Sequence, residues 1–165
     1  MTRRSGAGAA TPAIAVVQRA GVTHAVHRYE GAGGAGEGYG LEAATALGIE
    51  GDRVLKTLVA SASDGRLVVG IVAVSGMLDL RALAVAVGAK RATMAEGAAA
   101  ERATGYVLGG ISPLGQRRSL ATVVDEGALR HTTVLVSGGR RGLEIELDPH
   151  DLVRLVGATV AAIGG

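Results

Sequence analysis

Few side chains in this 165-residue chain stand where chemistry needs them. Lys56 is the first, inside the apolar run Val54-Leu55-Lys56-Thr57-Leu58-Val59. A lysine in such a strand either snorkels to solvent or sits in a cavity with a task. If desolvated, it holds its proton less tightly and can orient, donate to or exchange protons with a substrate. The plainer reading, a lysine guarding a sheet edge, fits the pattern alone at least as well.

Two glycine loops come next. Gly109-Gly110-Ile111-Ser112-Pro113-Leu114-Gly115 describes a tight, rigid loop. Its glycines would let backbone N–H groups close on a ligand, as a carbonyl or oxyanion site requires. A structural turn between strands fits the same residues. Ser137-Gly138-Gly139-Arg140-Arg141-Gly142 repeats the theme with a hydroxyl and two cations. Arg117-Arg118 trails the first loop as Arg140-Arg141 trails the second, and the recurrence says more than either loop alone.

Other chemistries find no support. His24, His27, His131 and His150 are scattered, and the first two fall on opposite faces of a strand, so no shared metal is expected. Asp52, Asp64, Asp79, Asp125 and Asp148 sit near predicted turns or helix starts, where capping explains them. There is no G-x-S-x-G elbow, H-E-x-x-H or P-loop. The glycines at 6–8 and 31–38 are not set between a strand and a helix as a dinucleotide site demands. With no cysteine, disulfides and thiolate metal sites are excluded. Neither metal nor cofactor is expected.

The elements that must position these residues are well punctuated. Thr11, Pro12 and Gly21 frame a helix, and 22–29 alternates as a strand, with His24, Val26 and Arg28 opposite Ala25, His27 and Tyr29. Residues 31–38 read as a loop and 41–47 as a short helix. Strands over 53–60 and 67–74 flank Asp64-Gly65 as a hairpin, the second apolar enough to be buried on both faces. Asp79 caps a helix to Val87, and a second helix is predicted over 94–103. Strands follow over 106–111, 122–124, 132–137 and 143–147. Asp148 caps a last helix over 149–156, stopped by Gly157, before a strand over 158–163. Irregular alternation with hairpins predicts an α/β fold with a mixed sheet wrapped by helices, not a doubly wound one.

Length fits one domain over 11–165 behind a disordered tail over 1–10. With no Phe or Trp and three Tyr, the chain is poorly equipped to stack single-stranded bases. A net charge of +2 does not announce nucleic acid either. The uncharged run from Leu67 to Leu78 is too short to span a bilayer. No membrane association is expected, and the cysteine-free composition leans to the cytoplasm.

Three motifs then fall into register. Lys56-Thr57-Leu58, Gly109-Gly110-Ile111-Ser112-Pro113-Leu114-Gly115-Gln116 and Val136-Ser137-Gly138-Gly139 occur in the order and approximate spacing of the YbaK/EbsC family. Thr11-Pro12-Ala13, His27-Arg28-Tyr29-Glu30 and Thr104-Gly105-Tyr106 also look like that family, so the resemblance runs from Thr11 to the C-terminus. It implies a single α/β domain with a mixed, barrel-like β-sheet surrounded by helices, shared with the editing domain of bacterial prolyl-tRNA synthetases. The implied activity is trans-editing deacylation of mischarged Cys-tRNA(Pro), and often Cys-tRNA(Cys). Cysteine and proline are too alike in volume for one pocket to separate, so a second site must.

The resemblance also explains the missing nucleophile, since the substrate's own thiol attacks its ester and leaves as a cyclic thioester. Positioning of that kind can be worth roughly 7–11 kcal/mol. On this basis Lys56 holds the terminal ribose or phosphate and orients the ester. Gly109 and Gly110 present backbone amides to the carbonyl or terminal adenosine, which makes Lys56 and Gly109 the implied catalytic groups. Tyr29, Thr57 and Ser137 line the aminoacyl pocket, with Ser112 and Gly139 as further substrate contacts. Arg117, Arg118, Arg140 and Arg141, from their place behind the loops, are expected phosphate contacts. The implied partners are the aminoacyl-tRNA acceptor end and, transiently, prolyl-tRNA synthetase. Two features depart from the family: Glu144 stands where aspartate is usual, and the loop before Gly40 is unusually glycine-rich. Relatives of the same fold clear Ala-tRNA(Pro) with an activated water, so that activity and a non-catalytic tRNA- or synthetase-binding module remain alternatives.

Overall fold

The computed structural model describes residues 10–30 and 39–165. The first half runs α1 (Pro12–Ala20), β1 (His24–Arg28), α2 (Tyr39–Leu47), β2 (Leu55–Ala62), β3 (Leu67–Ala73) and α3 (Leu80–Val87). The second half runs β4 (Ala92–Met94), α4 (Gly97–Thr104), β5 (Ala121–Asp125), β6 (Val134–Ser137), β7 (Leu143–Leu147), α5 (Pro149–Val156) and β8 (Thr159–Ala161). Except for Ala10, the tail expected over 1–10 lies outside the described residues, as does the loop over 31–38.

The predicted caps form. Thr11 Oγ1 accepts from the Ile14 amide and opens α1, which Gly21 ends at φ +68°. Asp79 and Asp148 cap α3 and α5 in the same way, and Gly88 and Gly157 end them in left-handed conformations. No helix among the described residues is long and apolar enough to cross a membrane.

Two sheets carry the domain. One is antiparallel, in the order β1-β7-β6; the other is mixed, in the order β4-β2-β3-β5-β8. In the second, β2–β3 and β2–β4 are antiparallel, whereas β3–β5 and β5–β8 are parallel. β3 is central, and its side chains serve two cores in alternation. Val69 and Ile71 join α1, α5 and the inner face of the smaller sheet, while Val68 and Val72 pack with Leu83 of α3. A third cluster seats α2, through Ala43 and Ala44, on Val54, Val74 and Leu135. Burial of both faces is why β3 reads as a continuous apolar run.

Three expectations change. The sheets meet at one isolated parallel bridge, Val54 to Leu135, and do not close into a barrel. Met94 does not begin a helix: Ala92–Met94 pairs with Ala60–Ala62, and the Ala95 amide donates to Val59 O, so the chain stays extended until α4 starts at Gly97. Residues 106–111 form a loop rather than a strand. Local acceptors take the amides a ladder would need: Thr104 Oγ1 takes Tyr106 N, Glu101 Oε2 takes Leu108 N, and Val107 O takes Gly110 N.

Candidate functional site

Lys56 lies in the part of β2 that β4 does not cover, since the β2–β4 ladder spans only Ala60–Ala62. Its neighbour on the other side is Val72 of β3. A cavity of about 210 Å³ takes in Val54, Leu55, Lys56, Thr57 and Leu58 together. Consecutive strand residues point to opposite faces, so the cavity wraps around the open edge of β2. Both readings of Lys56 therefore hold in part: it stands at an uncovered edge, and that edge is a cavity wall.

The loop after α4 supplies the facing wall through Leu108, Gly109 and Ile111. Gly109 adopts φ +89°, which L side chains rarely take. The second glycine serves a different end. A Cβ on Gly110 would lie 2.6 Å from Arg140 Cα, so its lack of a side chain lets the two glycine loops pack backbone to backbone. Ser137 ties them further, donating to Gly110 O and accepting from Gly139 N, both at 3.1 Å. Thr11 Oγ1 adds a bond to Gly138 O, anchoring the second loop to the start of α1.

Tyr29, Thr57 and Ser137, expected to line one pocket, do so together with Lys56 and Gly109. Gly110, Ser112 and Gly139 are not on its wall. Ser112 is fully buried, and its hydroxyl accepts from Leu114 N within its own turn. Gly139, at φ +112°, packs under Tyr106 and Thr11. Arg117 and Arg118 are exposed beyond α4, where their amides close the helix end on Thr104 O and Ala103 O. Arg140 is exposed on the second loop. Arg141 forks onto Glu42 of α2, with both bonds at 3.0 Å, and so helps hold α2 beside the cavity, which Gly40 also lines.

The family resemblance marks Glu144 as a departure bearing on polar contacts near the site, and the fold puts the residue on the cavity wall. On β7 it pairs with His27 of β1 and Ser137 of β6, and it is 7% exposed. Burial drives its pKa up to about 8, so the carboxyl is largely neutral at pH 7. Burial, then the nearby Glu144, also raises the Tyr29 phenol. Two buried side-chain atoms among the described residues have no hydrogen-bond partner: Glu144 Oε1 and Thr57 Oγ1. Both belong to residues of this one cavity. The alternation Leu143-Glu144-Ile145-Glu146 signals a strand with one polar face, yet its two carboxylates meet different surroundings.

Glu146, two residues on, shows the contrast. It holds Thr133, His27 and Arg53 and is driven down, first by the Thr133 hydroxyl. A larger cleft, about 320 Å³, lies at Asp52, Asp125, Arg130 and His131. Its two aspartates are engaged by the protein: Asp52 accepts from Ser75 Oγ, and Asp125 from the amides of Gly127, Ile163 and Gly164. The smaller cavity, with its two unanswered polar atoms, is the candidate site.

The fold belongs to a recognised class. Residues 39–155 match the aminoacyl-tRNA editing domain, and the chain is a member of that family. Among individual proteins it is 38% identical over 120 residues, 73% of each chain, to EbsC of Enterococcus faecalis (strain ATCC 700802 / V583), named as a proposed Cys-tRNA(Pro)/Cys-tRNA(Cys) deacylase. A crystal structure of a proposed trans-editing enzyme for prolyl-tRNA synthetase superposes with a TM-score of 0.82 at 26% identity, covering 98% of this chain and 99% of that one. A scaffold used for computational grafting of linear epitopes gives 0.80 at 26% identity, covering 93% and 95%.

Proposed function

We propose that the chain is a trans-editing deacylase that removes cysteine from Cys-tRNA(Pro), with Cys-tRNA(Cys) as a second substrate. The observation that carries this reading is the cavity's pair of unpartnered buried polar atoms, Thr57 Oγ1 and Glu144 Oε1, beside Lys56. Buried polar atoms left without partners are costly, and a polar ligand of the right shape relieves that cost. The volume is below the roughly 300–1,000 Å³ of sites for drug-sized ligands, which suits a small aminoacyl group. The name of the Enterococcus relative supports the choice of cysteine.

The site contains residues for positioning: the chain has no cysteine, the Ser137 hydroxyl is bonded to backbone, and the Thr57 hydroxyl has no hydrogen-bonded base. In the proposed reaction, the substrate's Sγ attacks its own ester carbonyl, a C–S bond forms, and the C–O bond to the terminal ribose breaks. The thiol proton ends on the ribose hydroxyl, giving free tRNA and a cyclic thioester. Lys56 stabilises the charge that develops on oxygen, and Gly109 contributes through its backbone at the wall. Tyr29 and Thr57 confine the aminoacyl group. Ser137 holds the loops in register instead of contacting substrate. Prolyl-tRNA synthetase is the proposed transient partner that supplies tRNA selectivity.

Deacylation of Cys-tRNA(Pro), Ala-tRNA(Pro) and Pro-tRNA(Pro), with the released product identified, tests the reading. Cysteine lost as a cyclic thioester, with the other two spared, is the expected result. Selective loss of alanine as the free acid would replace the substrate and the mechanism. Failure on all three, with synthetase present, would leave a binding module. Co-purification of the synthetase with the chain and tRNA checks the partnership, and its absence would sink that part.

A further inference from the structure

We propose that the carboxyl of Glu144 receives the free α-amine of the esterified amino acid, and that this contact makes the site refuse aminoacyl groups whose amine is acylated. The inference rests on the aminoacyl-ester reading above and adds what the site reads besides the side chain.

An amino-acid ester brings a cation of its own, and its amine must meet an acceptor or an anion once water is excluded. Glu144 is the carboxylate-bearing residue on the cavity wall. Its Oε1 has less than 1 Å² of exposed surface and no partner, although the residue lies on a regular strand with ladder neighbours on both sides. Glu146 of the same strand shows what a structural carboxylate looks like here, with His27, Arg53 and Thr133 all bound to it. No such set is bound to Glu144 Oε1, and the residue lines the cavity.

The titratable groups around it are few. Tyr29 and Lys56 share the cavity, His27 is its cross-strand neighbour, and Glu42 and Arg141 pair with each other where α2 meets the second glycine loop. His27 is engaged by Glu146 and Arg141 by Glu42. Lys56 would be drawn to the ester and phosphate end of the ligand, leaving Glu144 for the amine.

Binding then has a proton balance. The neutral carboxyl meets an ammonium, becomes a carboxylate, and gives its proton to solvent. Affinity accordingly rises with pH toward about 8 and falls once the amine itself deprotonates, at about 7.7–8 for an α-amino group. An N-acyl amine has no charge to offer and adds bulk against a buried carboxyl. A peptidyl or formylated ester would therefore be refused.

The experiment compares Cys-tRNA(Pro) with N-acetyl-Cys-tRNA(Pro) for the wild-type chain and for Glu144→Gln. The free amine is expected to be preferred by at least about 100-fold in kcat/KM, because a site built around one polar group strongly rejects a ligand lacking its partner. In Glu144→Gln the preference should fall to within about tenfold. Equal turnover of both esters by wild type, or undiminished discrimination by the variant, overturns the inference. Calorimetry with the uncleavable 3′-cysteinylamido- and 3′-alanylamido-3′-deoxyadenosines, in two buffers of different ionisation heat, keeps the test independent of turnover. Wild type should release close to one proton per bound amide at pH 7, and Glu144→Gln none. Binding of the acetylated amides as tightly as the free ones would refute amine recognition even if the deacylase reading stands. Inactivity on every ester, with amine-dependent amide binding retained, would instead refute the deacylase reading and leave amine recognition standing.

Discussion

Lys56 and Glu144 reach one cavity from different sheets, and burial makes Glu144 costly to keep ionised there. Lys56 lies between the Val54–Leu135 bridge and the β4 ladder, where β2 has no ladder partner on the side away from β3, and it lines the cavity, as the proposed role in orienting a ligand requires. Lys56→Ala is expected to lower deacylation by about 100-fold or more, in the range seen when one preorganised charge-stabilising donor is removed, with an unchanged far-UV circular dichroism spectrum. Wild-type rates would remove Lys56 from the mechanism. Glu144 makes a prediction about stability. Its pKa in the fold is near 8 because of burial, against an ordinary 4.5, so through neutral pH it is protonated when folded and ionised when unfolded. Its contribution is intact below about pH 4.5 and is eroded as pH rises through about 8. Glu144→Gln removes that titration. Its melting temperature should gain on wild type by roughly 8–15 °C between pH 5 and pH 9, since nearly three pH units of linkage at about 1.4 kcal/mol each act at about 2–4 °C per kcal/mol for a domain of this size. Parallel Tm-against-pH curves for the two proteins would show that Glu144 does not titrate this way.

At the scale of elements, the site is built by loops that pack on each other. Gly109 and Gly110 are adjacent, yet the first meets a backbone requirement at the cavity wall and the second a close approach by Arg140. Ser137 and Thr11 fix the second loop to the first and to α1. Gly110→Ala should therefore act at a distance from the ligand. The new Cβ has backbone at 2.6 Å and nowhere to go, so the loops must part. A loss of about 1–3 kcal/mol, typical of overpacking, should appear in the urea midpoint, and kcat should fall at least about tenfold because a small displacement of positioning groups is costly. If stability and kcat both stay at wild-type values, the loops do not need this close approach.

For the whole molecule, a net charge of +2 leaves little long-range attraction for an RNA, so binding would depend on where the cations sit. Arg117 and Arg118 are exposed at the end of the loop that forms one cavity wall, a position suited to the phosphates of an acceptor end. Replacing both by glutamine should weaken tRNA binding and reduce the slope of log K against log salt by up to about 2, one for each phosphate left without its arginine. An unchanged slope would place the acceptor end on another face. Arg141 is a poorer candidate for this role than Arg117 or Arg118, since its guanidinium is forked onto Glu42 and helps hold α2.

Much of the architecture was legible because it is written locally. Thr11, Asp79 and Asp148 cap helices, Gly21, Gly88 and Gly157 end them, and the apolar run of β3 marks a strand buried on both faces, all from interactions within a few residues. The family and five members of the cavity wall, Tyr29, Lys56, Thr57, Gly109 and Ser137, followed from residue types in register. Tertiary structure decided the rest. Residues 106–111 look like a strand until side chains of α4 take their amides, and Gly110 looks like a ligand contact until Arg140 is seen against it. Glu144 stands out in the sequence only as a departure from the family's aspartate, and its burial is not written there. The tertiary surroundings separate it from Glu146, leaving Glu146 tied to three partners and Glu144 buried with its Oε1 unpartnered, because desolvation depends on neighbours distant in sequence.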